Sequence, residues 1–343
     1  MERIIVLGGK GGVGKSSISS ATAVLLSDLL PDKNFLLISF DIAHNLSDLF
    51  EVEIGNKLTA LTKNLWGIEP DPNIYAEEYT KQLIEKLKTL TKQMPIVGLL
   101  PQIENFIDTT FSTNSIPLAL KNAMFFQKIL EAEENKTRSI QFDIILADFP
   151  PTGDMVKLFE IPEDQVKVVL KYSLNFYNSI KGAIKNVSRV VRSIIKPFDN
   201  SKKREELGNE IFNMLVDLEE RGERVTNLIH KIGSLRLVTI AEKPSFEEIK
   251  RARDMTARYI NLDAVHINML TPEEYSEKCD FCSKIRSTQL KYLKEIEHEF
   301  QNLKIWESHK LKEETIGLDG LRKLAKEIYG EKFNINEILY PKK

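Results

Sequence analysis

Gly8 to Ser17, read Gly-Gly-Lys-Gly-Gly-Val-Gly-Lys-Ser-Ser, is the stretch of this 343-residue chain whose residue types and spacing say most about chemistry. Gly9, Gly14, Lys15 and Ser16 stand at the spacing of a phosphate-binding loop. Glycines at Gly9, Gly11, Gly12 and Gly14, with Lys10 and Val13 between them, let backbone N–H groups turn inward around phosphate oxygens at a helix N-terminus. Lys15 is placed to reach the β- and γ-phosphates of ATP, Ser16 to hold Mg²⁺, and Ser17 to carry the loop into the helix. Nucleotide hydrolysis also needs a carboxylate for the metal and a group that orients the attacking water. Asp148, at the end of the apolar run Phe142 to Ala147, suits Mg²⁺, and Asp41, at the end of Asn34 to Phe40, suits the water. Strand-end carboxylates of this kind face the ligand crevice of an open α/β sheet; the alternative for each is a turn or helix cap.

These residues need a scaffold of alternating strands and helices. Ile4 to Leu7 leads into the loop as a strand, and Ile18 to Leu30 leaves it as a helix. Further strands are expected at Asn34 to Phe40, Leu65 to Glu69, Phe142 to Ala147, Leu235 to Ile240 and Ala264 to Asn268, with helices at Phe246 to Tyr259, Ile285 to Gln301 and Leu318 to Tyr329. The alternation predicts an α/β fold, a doubly wound and mostly parallel sheet. Two long helical blocks, Ile74 to Glu134 and Met155 to Lys231, interrupt it and predict an inserted all-helical subdomain. The division expected is therefore 1–70, 135–154 and 232–343 for the nucleotide-binding domain, and 71–134 with 155–231 for the helical one. In the second block Leu174, Tyr177, Ile180, Ile184, Val187, Val191 and Ile194 recur every three or four residues, so one face is apolar.

Composition narrows the partners. Forty-eight Lys and Arg against 50 Asp and Glu leave a net charge of −2, so no global field recruits nucleic acid or an anionic membrane. No apolar run reaches the length of a membrane span, and the chain opens directly in a strand without a leader pattern, which predicts a cytoplasmic protein. His298 and His309 read as solvated surface residues with no metal role. The two cysteines, Cys279 and Cys282, stand as C-x-x-C. A structural Zn²⁺ takes four ligands, and a two-fold pair of chains would bring four thiolates together. A reversible disulfide and two inert thiols are the other readings of that spacing.

The motifs resemble, in order and across nearly the whole chain, those of the arsenite-pump ATPases and tail-anchored-protein targeting ATPases. The likeness is carried by the glycine loop, by Asp41 to Phe50 (Asp-Ile-Ala-His-Asn-Leu-Ser-Asp-Leu-Phe) and by Asp148 to Asp154 (Asp-Phe-Pro-Pro-Thr-Gly-Asp). Thr239 to Glu242 with Ser245 and Glu248, Ile267-Asn268 and the Cys279/Cys282 pair continue it. The resemblance implies an ATP-hydrolysing homodimer. In it Asp41 orients water within a first switch, Asp148 to Gly153 forms a second switch, and Lys10 acts catalytically on the partner's nucleotide. Asn268 recognises adenine, and Cys279 and Cys282 share Zn²⁺ with the partner subunit. It further implies a groove that shields the transmembrane helices of tail-anchored clients and hands them to a membrane receptor, for which Met94 to Phe111 and Leu174 to Ile194 are the candidate walls. The alternative within the same resemblance is the energising subunit of an arsenite or anion efflux pump. The chain departs from the family pattern at Ile42, Asn45, Phe149, Pro150, Asp154 and Met269.

Overall fold

The computed structural model describes residues 1–41, 45–71, 128–134, 140–156, 158–159 and 224–341, with isolated helical positions between 74 and 89. The chain divides into two compact units, Met1–Asp71 with Lys128–Phe159 and Thr226–Lys343, and Pro72–Gln127 with Glu160–Val225. Met94 to Phe111 and Leu174 to Ile194, the candidate client-facing stretches, lie outside the described residues.

The first unit is built on one eight-stranded sheet. In chain order its elements are β1 (Arg3–Gly9), α1 (Lys15–Leu29), β2 (Phe35–Ser39), α2 (Asn45–Phe50), β3 (Thr59–Ala60), β4 (Leu65–Ile68) and β5 (Ile144–Asp148). They continue as β6 (Gly233–Ile240), α3 (Lys243–Thr256), β7 (Leu262–Leu270), α4 (Glu273–Ser276), α5 (Asp280–Glu299), β8 (Lys304–His309), α6 (Gly317–Tyr329) and α7 (Ile335–Leu339). The strand order is β3-β4-β2-β5-β1-β6-β7-β8, and every pairing is parallel except that of β3 with β4. The expected doubly wound sheet is the fold. Its central strands are continuous apolar runs, such as Ile4-Ile5-Val6-Leu7 and Ile144-Ile145-Leu146-Ala147, because both faces of a parallel sheet are covered.

The chain begins in the middle of the sheet at β1 and winds outward on both sides, which opens a crevice at the carboxyl ends of β1 and β5. Register places Leu7 and Ser39 beside Asp148 on the two flanking strands. Helix α1 covers this centre with Ile18, Ala21, Leu25 and Leu26, and α6 closes over α1 through Leu321, Leu324, Ala325 and Ile328. The Tyr329 and Thr22 hydroxyls join the two helices at 2.8 Å.

The structure departs from the sequence expectation in several places. Strand β8 was not foreseen, because in Lys-Ile-Trp-Glu-Ser-His the polar Glu307 and Ser308 interrupt the apolar signal; Trp306 and Ser308 turn inward while Glu307 faces solvent, the alternation of an edge strand. Helix α5 begins at Asp280, five residues before the expected Ile285. Its cap is Cys279, whose Sγ accepts the Cys282 N–H at 3.4 Å in the place where Ser, Thr, Asp or Asn usually stands. His309 is not simply solvated, since its Nδ1 and backbone N–H both meet Glu327 Oε1, at 2.8 and 2.9 Å. On the face that α1 and α6 cover, Arg236 of β6 is buried, donates to the Ile338 carbonyl of α7 and lies over the Trp306 ring at 5.5 Å. His266 stacks on the same indole with centroids 4.8 Å apart, and burial drives its ionisation well below the usual imidazole range, so it packs as a neutral ring. No helix among the described residues is long and apolar enough to cross a membrane.

Candidate functional site

The glycine loop joins β1 to α1 and encloses the space in front of the helix. Gly14 caps α1 in the left-handed conformation, φ 89° and ψ 29°, and the Ile18 N–H donates to its carbonyl at 3.0 Å. Lys15 lies almost wholly buried under the loop, and its Nζ donates to the Lys10 carbonyl at 3.1 Å. Desolvation lowers the Lys15 pKa, with Asp148, Asp41 and Glu248 pulling it back up. The lysine thus stays inside an acidic cluster with its ammonium on a backbone carbonyl. The side chain of Lys10 is half-exposed and its ammonium has no hydrogen-bond or ion-pair partner among the described residues.

Asp148 is completely buried at the end of β5. The Ser16 hydroxyl donates to its Oδ2 at 2.6 Å, and Ser39 approaches the same oxygen at 3.5 Å. Burial pushes the carboxyl up to about 7, against the opposing pull of the Ser16 hydrogen bond and the Lys15 charge. Its Oδ1 has no partner among the described residues, and neither has the buried hydroxyl of Thr152 just beyond it. A buried carboxylate oxygen without a donor is costly, and a hydrated divalent cation is the group that would relieve it. Ser16 and Asp148 therefore fit Mg²⁺ on their own geometry. Asp41 stands at the end of β2 with its N–H on Ser39 Oγ at 3.3 Å, and its charge is felt at both Lys15 and Asp148. The structure thus brings Lys15, Ser16, Asp41 and Asp148 together. Ile42, Ala43 and His44 lie outside the described residues.

One of the family departures has a packing explanation. Phe149 is buried, edge-on to Phe40 at 5.0 Å and stacked on Phe159 at 5.3 Å, so it anchors the segment after β5 in the core. Met269 adopts φ 60°, a left-handed conformation that is uncommon for a residue with a side chain, at the point where the register between β7 and β8 shifts. Asn268, the residue before it, is buried and has both ends of its amide on protein partners. Nδ2 donates to the Val13 carbonyl at 2.9 Å, and Oδ1 accepts the Ser308 hydroxyl at 2.8 Å. These two bonds use one of the amide's two N–H groups and one lone pair of its oxygen. Ser39 and Ser308 escaped the sequence reading. Ser39 was visible as the one polar residue closing an apolar strand, whereas Ser308 sits in the strand the pattern hid.

Cys279 and Cys282 lie far from the loop in sequence, at the exposed start of α5. The Cys282 N–H holds the Cys279 thiol below its ordinary range, and the hydrogen bond that the Cys282 thiol donates to Cys279 pushes Cys282 up. Among the described residues no group of three or more His, Cys, Asp or Glu could enclose a metal, so this chain supplies two thiols and no more at that place. For half a tetrahedral zinc site the two fit: both are accessible and one helical turn apart.

A phosphate loop at the central strand of a doubly wound sheet, a buried lysine and a strand-end aspartate bonded to the loop serine define a P-loop nucleotide-binding protein. Residues 2–330 match the model of the anion-transporting ATPase family, and the chain belongs to that family. It is an ATPase. Its relatives include a protein named arsenical pump-driving ATPase 1 from Aquifex aeolicus, 31% identical over 96% of this chain and 79% of the relative. Another is ATPase GET3 of Debaryomyces hansenii, 27% identical over 94% of this chain and 88% of the relative. A third is the ATPase ASNA1 homolog of Entamoeba dispar, 25% identical over 85% and 83%.

Proposed function

We propose that this ATPase is a cytosolic, homodimeric targeting factor that shields the transmembrane helices of tail-anchored membrane proteins and delivers them to a membrane receptor. The observation that carries this reading is the exposed Cys279/Cys282 pair, which offers two ligands where a structural zinc takes four, in a chain with a single phosphate loop. Two-fold pairing would complete such a site, and Lys10, half-exposed at the loop, is the residue to which the resemblance gives a role on the partner's nucleotide. The resemblance to tail-anchored-protein targeting ATPases, and relatives named ATPase GET3 and ATPase ASNA1 homolog, support the choice of client. The second reading, the energising subunit of an arsenite or anion efflux pump, is favoured by the name of the Aquifex relative. A soft metalloid site of three thiolates is beyond the two cysteines of this chain.

In this reading Gly9 to Ser17 binds the phosphates through backbone N–H groups, and Lys15 leaves the Lys10 carbonyl for the nucleotide. Ser16 and Asp148 hold Mg²⁺, which when bound neutralises charge developing on the phosphate oxygens. Asp41 orients and accepts a proton from the attacking water, and Asn268 meets the adenine with the amide groups it has left. Asp41→Asn removes the acceptor while leaving the loop intact. Nucleotide affinity should stay within about twofold and turnover should fall at least about a hundredfold, the usual loss when a positioned general base is removed. Unchanged turnover would take Asp41 out of the reaction.

The same variant tests the client. Co-expressed with a tagged protein bearing one C-terminal transmembrane helix, of about 20 apolar residues, it is expected to yield a soluble, ATP-dependent complex. If the helix stays aggregated while arsenite stimulates turnover of the unmodified protein, the pump reading replaces this one. Cys279→Ser with Cys282→Ser is expected to abolish zinc binding, read by metal analysis, and to shift the nucleotide-free protein toward the monomer in light scattering. Unaltered zinc content and mass would remove the cysteines from the interface.

A further inference from the structure

We infer that Asn268, held by Ser308, is a positioning residue for the phosphates: by drawing the Val13 carbonyl outward it aims the Gly14 N–H into the loop. The peptide unit between Val13 and Gly14 is planar and trans, so its C=O and N–H point to opposite sides. The Val13 carbonyl accepts Asn268 Nδ2 at 2.9 Å, which leaves the Gly14 N–H facing the interior where a phosphate sits. This rests on the phosphate-loop reading of Gly9 to Ser17 and adds to it a strut from the two neighbouring strands.

The strut is restrained at every joint. Asn268 and Ser308 are 5% and 2% exposed, and the Ser308 hydroxyl fixes the amide oxygen at 2.8 Å, so the amide cannot turn its oxygen toward the Val13 carbonyl without losing both bonds. A Cβ on Gly14 would come within 2.4 Å of Asn268 Nδ2, so the amide lies directly against the loop. Behind it, the left-handed turn at Met269 is pinned from α5. Gln289 Nε2 donates to the Met269 carbonyl at 3.1 Å, its Oε1 accepts the Thr271 N–H at 2.8 Å, and Arg286 Nη1 donates to the Thr271 carbonyl at 2.6 Å. A strained residue kept by that many restraints marks a backbone path that the neighbouring side chain requires. The burial of Asn268 also limits how far a base can reach it, whereas its bond to the loop is already made.

The test compares ATP with inorganic tripolyphosphate, which has the phosphates and no base. Ser308→Ala and Asn268→Asp each break the strut at a different joint, since an aspartate keeps an acceptor for Ser308 but has no N–H for Val13. Ser308→Ala is expected to weaken both ligands by the same factor, about tenfold, the value of one well-placed hydrogen bond to a charged-site backbone, and Asn268→Asp to weaken tripolyphosphate at least as much and ATP further, since it also removes the amide N–H that meets the base. Ser308→Thr, which keeps the hydroxyl, should restore wild-type affinity for both. Loss confined to ATP would make Asn268 a base reader alone, and wild-type affinity in both broken variants would remove the strut altogether. Lys15→Ala is the control for the underlying reading. If it fails to weaken tripolyphosphate, the phosphate-loop assignment falls, whatever the strut variants do.

Discussion

Asp148→Asn is expected to give a protein that is more stable without nucleotide and nearly inactive with it. The wild-type carboxyl is buried and titrates at about 7 when folded, against about 4 when the chain is unfolded. Below both values it is neutral in either state and carries no penalty. As pH rises from about 4 to about 7 the unfolded chain ionises first, so folding stability is lost across that window and the loss levels off above it. Asparagine has the same shape and no charge to desolvate. The variant should therefore gain stability over the wild type on going from pH 5 to pH 8, by on the order of 2 kcal/mol. Turnover should fall by about a hundredfold or more, since the carboxylate proposed to hold Mg²⁺ is gone. The measurement is urea unfolding at the two pH values beside a phosphate-release assay at saturating Mg²⁺. A variant whose advantage does not grow with pH would show that Asp148 is already ionised and stabilised in the nucleotide-free protein. The same carboxyl sets a proton–metal competition, so the wild-type requirement for Mg²⁺ should rise as pH falls below about 7.

Gly14→Ala is expected to cost about a hundredfold in nucleotide affinity while leaving the sheet intact. Two effects add. Alanine at φ 89° is forced into a left-handed region that costs an L-residue about 1–2 kcal/mol. Its Cβ would also stand 2.4 Å from Asn268 Nδ2 and push the amide off the Val13 carbonyl. Gly12 separates these contributions, because it too has positive φ, 81°, but no atom within 4 Å of where its Cβ would lie. Gly12→Ala carries the backbone strain without the clash and should lose less. Titration calorimetry on both variants, with circular dichroism to confirm the fold, decides it. Equal losses would mean that backbone strain explains the whole effect and that the contact with Asn268 adds nothing.

How much of this was legible in the sequence differs from place to place. The loop, the strands around it and the aspartates at their ends were readable because each is a short-range pattern. Four apolar residues into a glycine loop can be little else, and a buried parallel strand announces itself by having no polar face. What was hidden depends on tertiary contact. Ser308 belongs to an edge strand whose polar residues match no buried pattern, and its importance comes from Asn268, 40 residues away. Cys279 caps α5 with sulfur where the usual signal is oxygen, so the helix began earlier than periodicity suggested. Phe149, a departure from the family pattern, reads as an anomaly in sequence and as a core aromatic in three dimensions. The protonation of Asp148 was equally out of reach, because it is set by burial among neighbours that arrive from three strands and a helix.

The position of β1 in the sheet has a consequence for how the protein is made. Its two neighbours are β5, which begins at Ile144, and β6, which begins at Gly233. Strand β1 therefore gains its first neighbour only once Ile144 onward has been made and its second only after Gly233, the latter following the whole of the second compact unit. At roughly 5–20 residues per second the delay is on the order of tens of seconds. During that time an apolar strand with two open edges is exposed on the ribosome, and closing the sheet depends on contacts of very long sequence separation, which form slowly. Mutations that delay this closure are expected to reduce the yield of folded protein before they reduce the stability of the finished one.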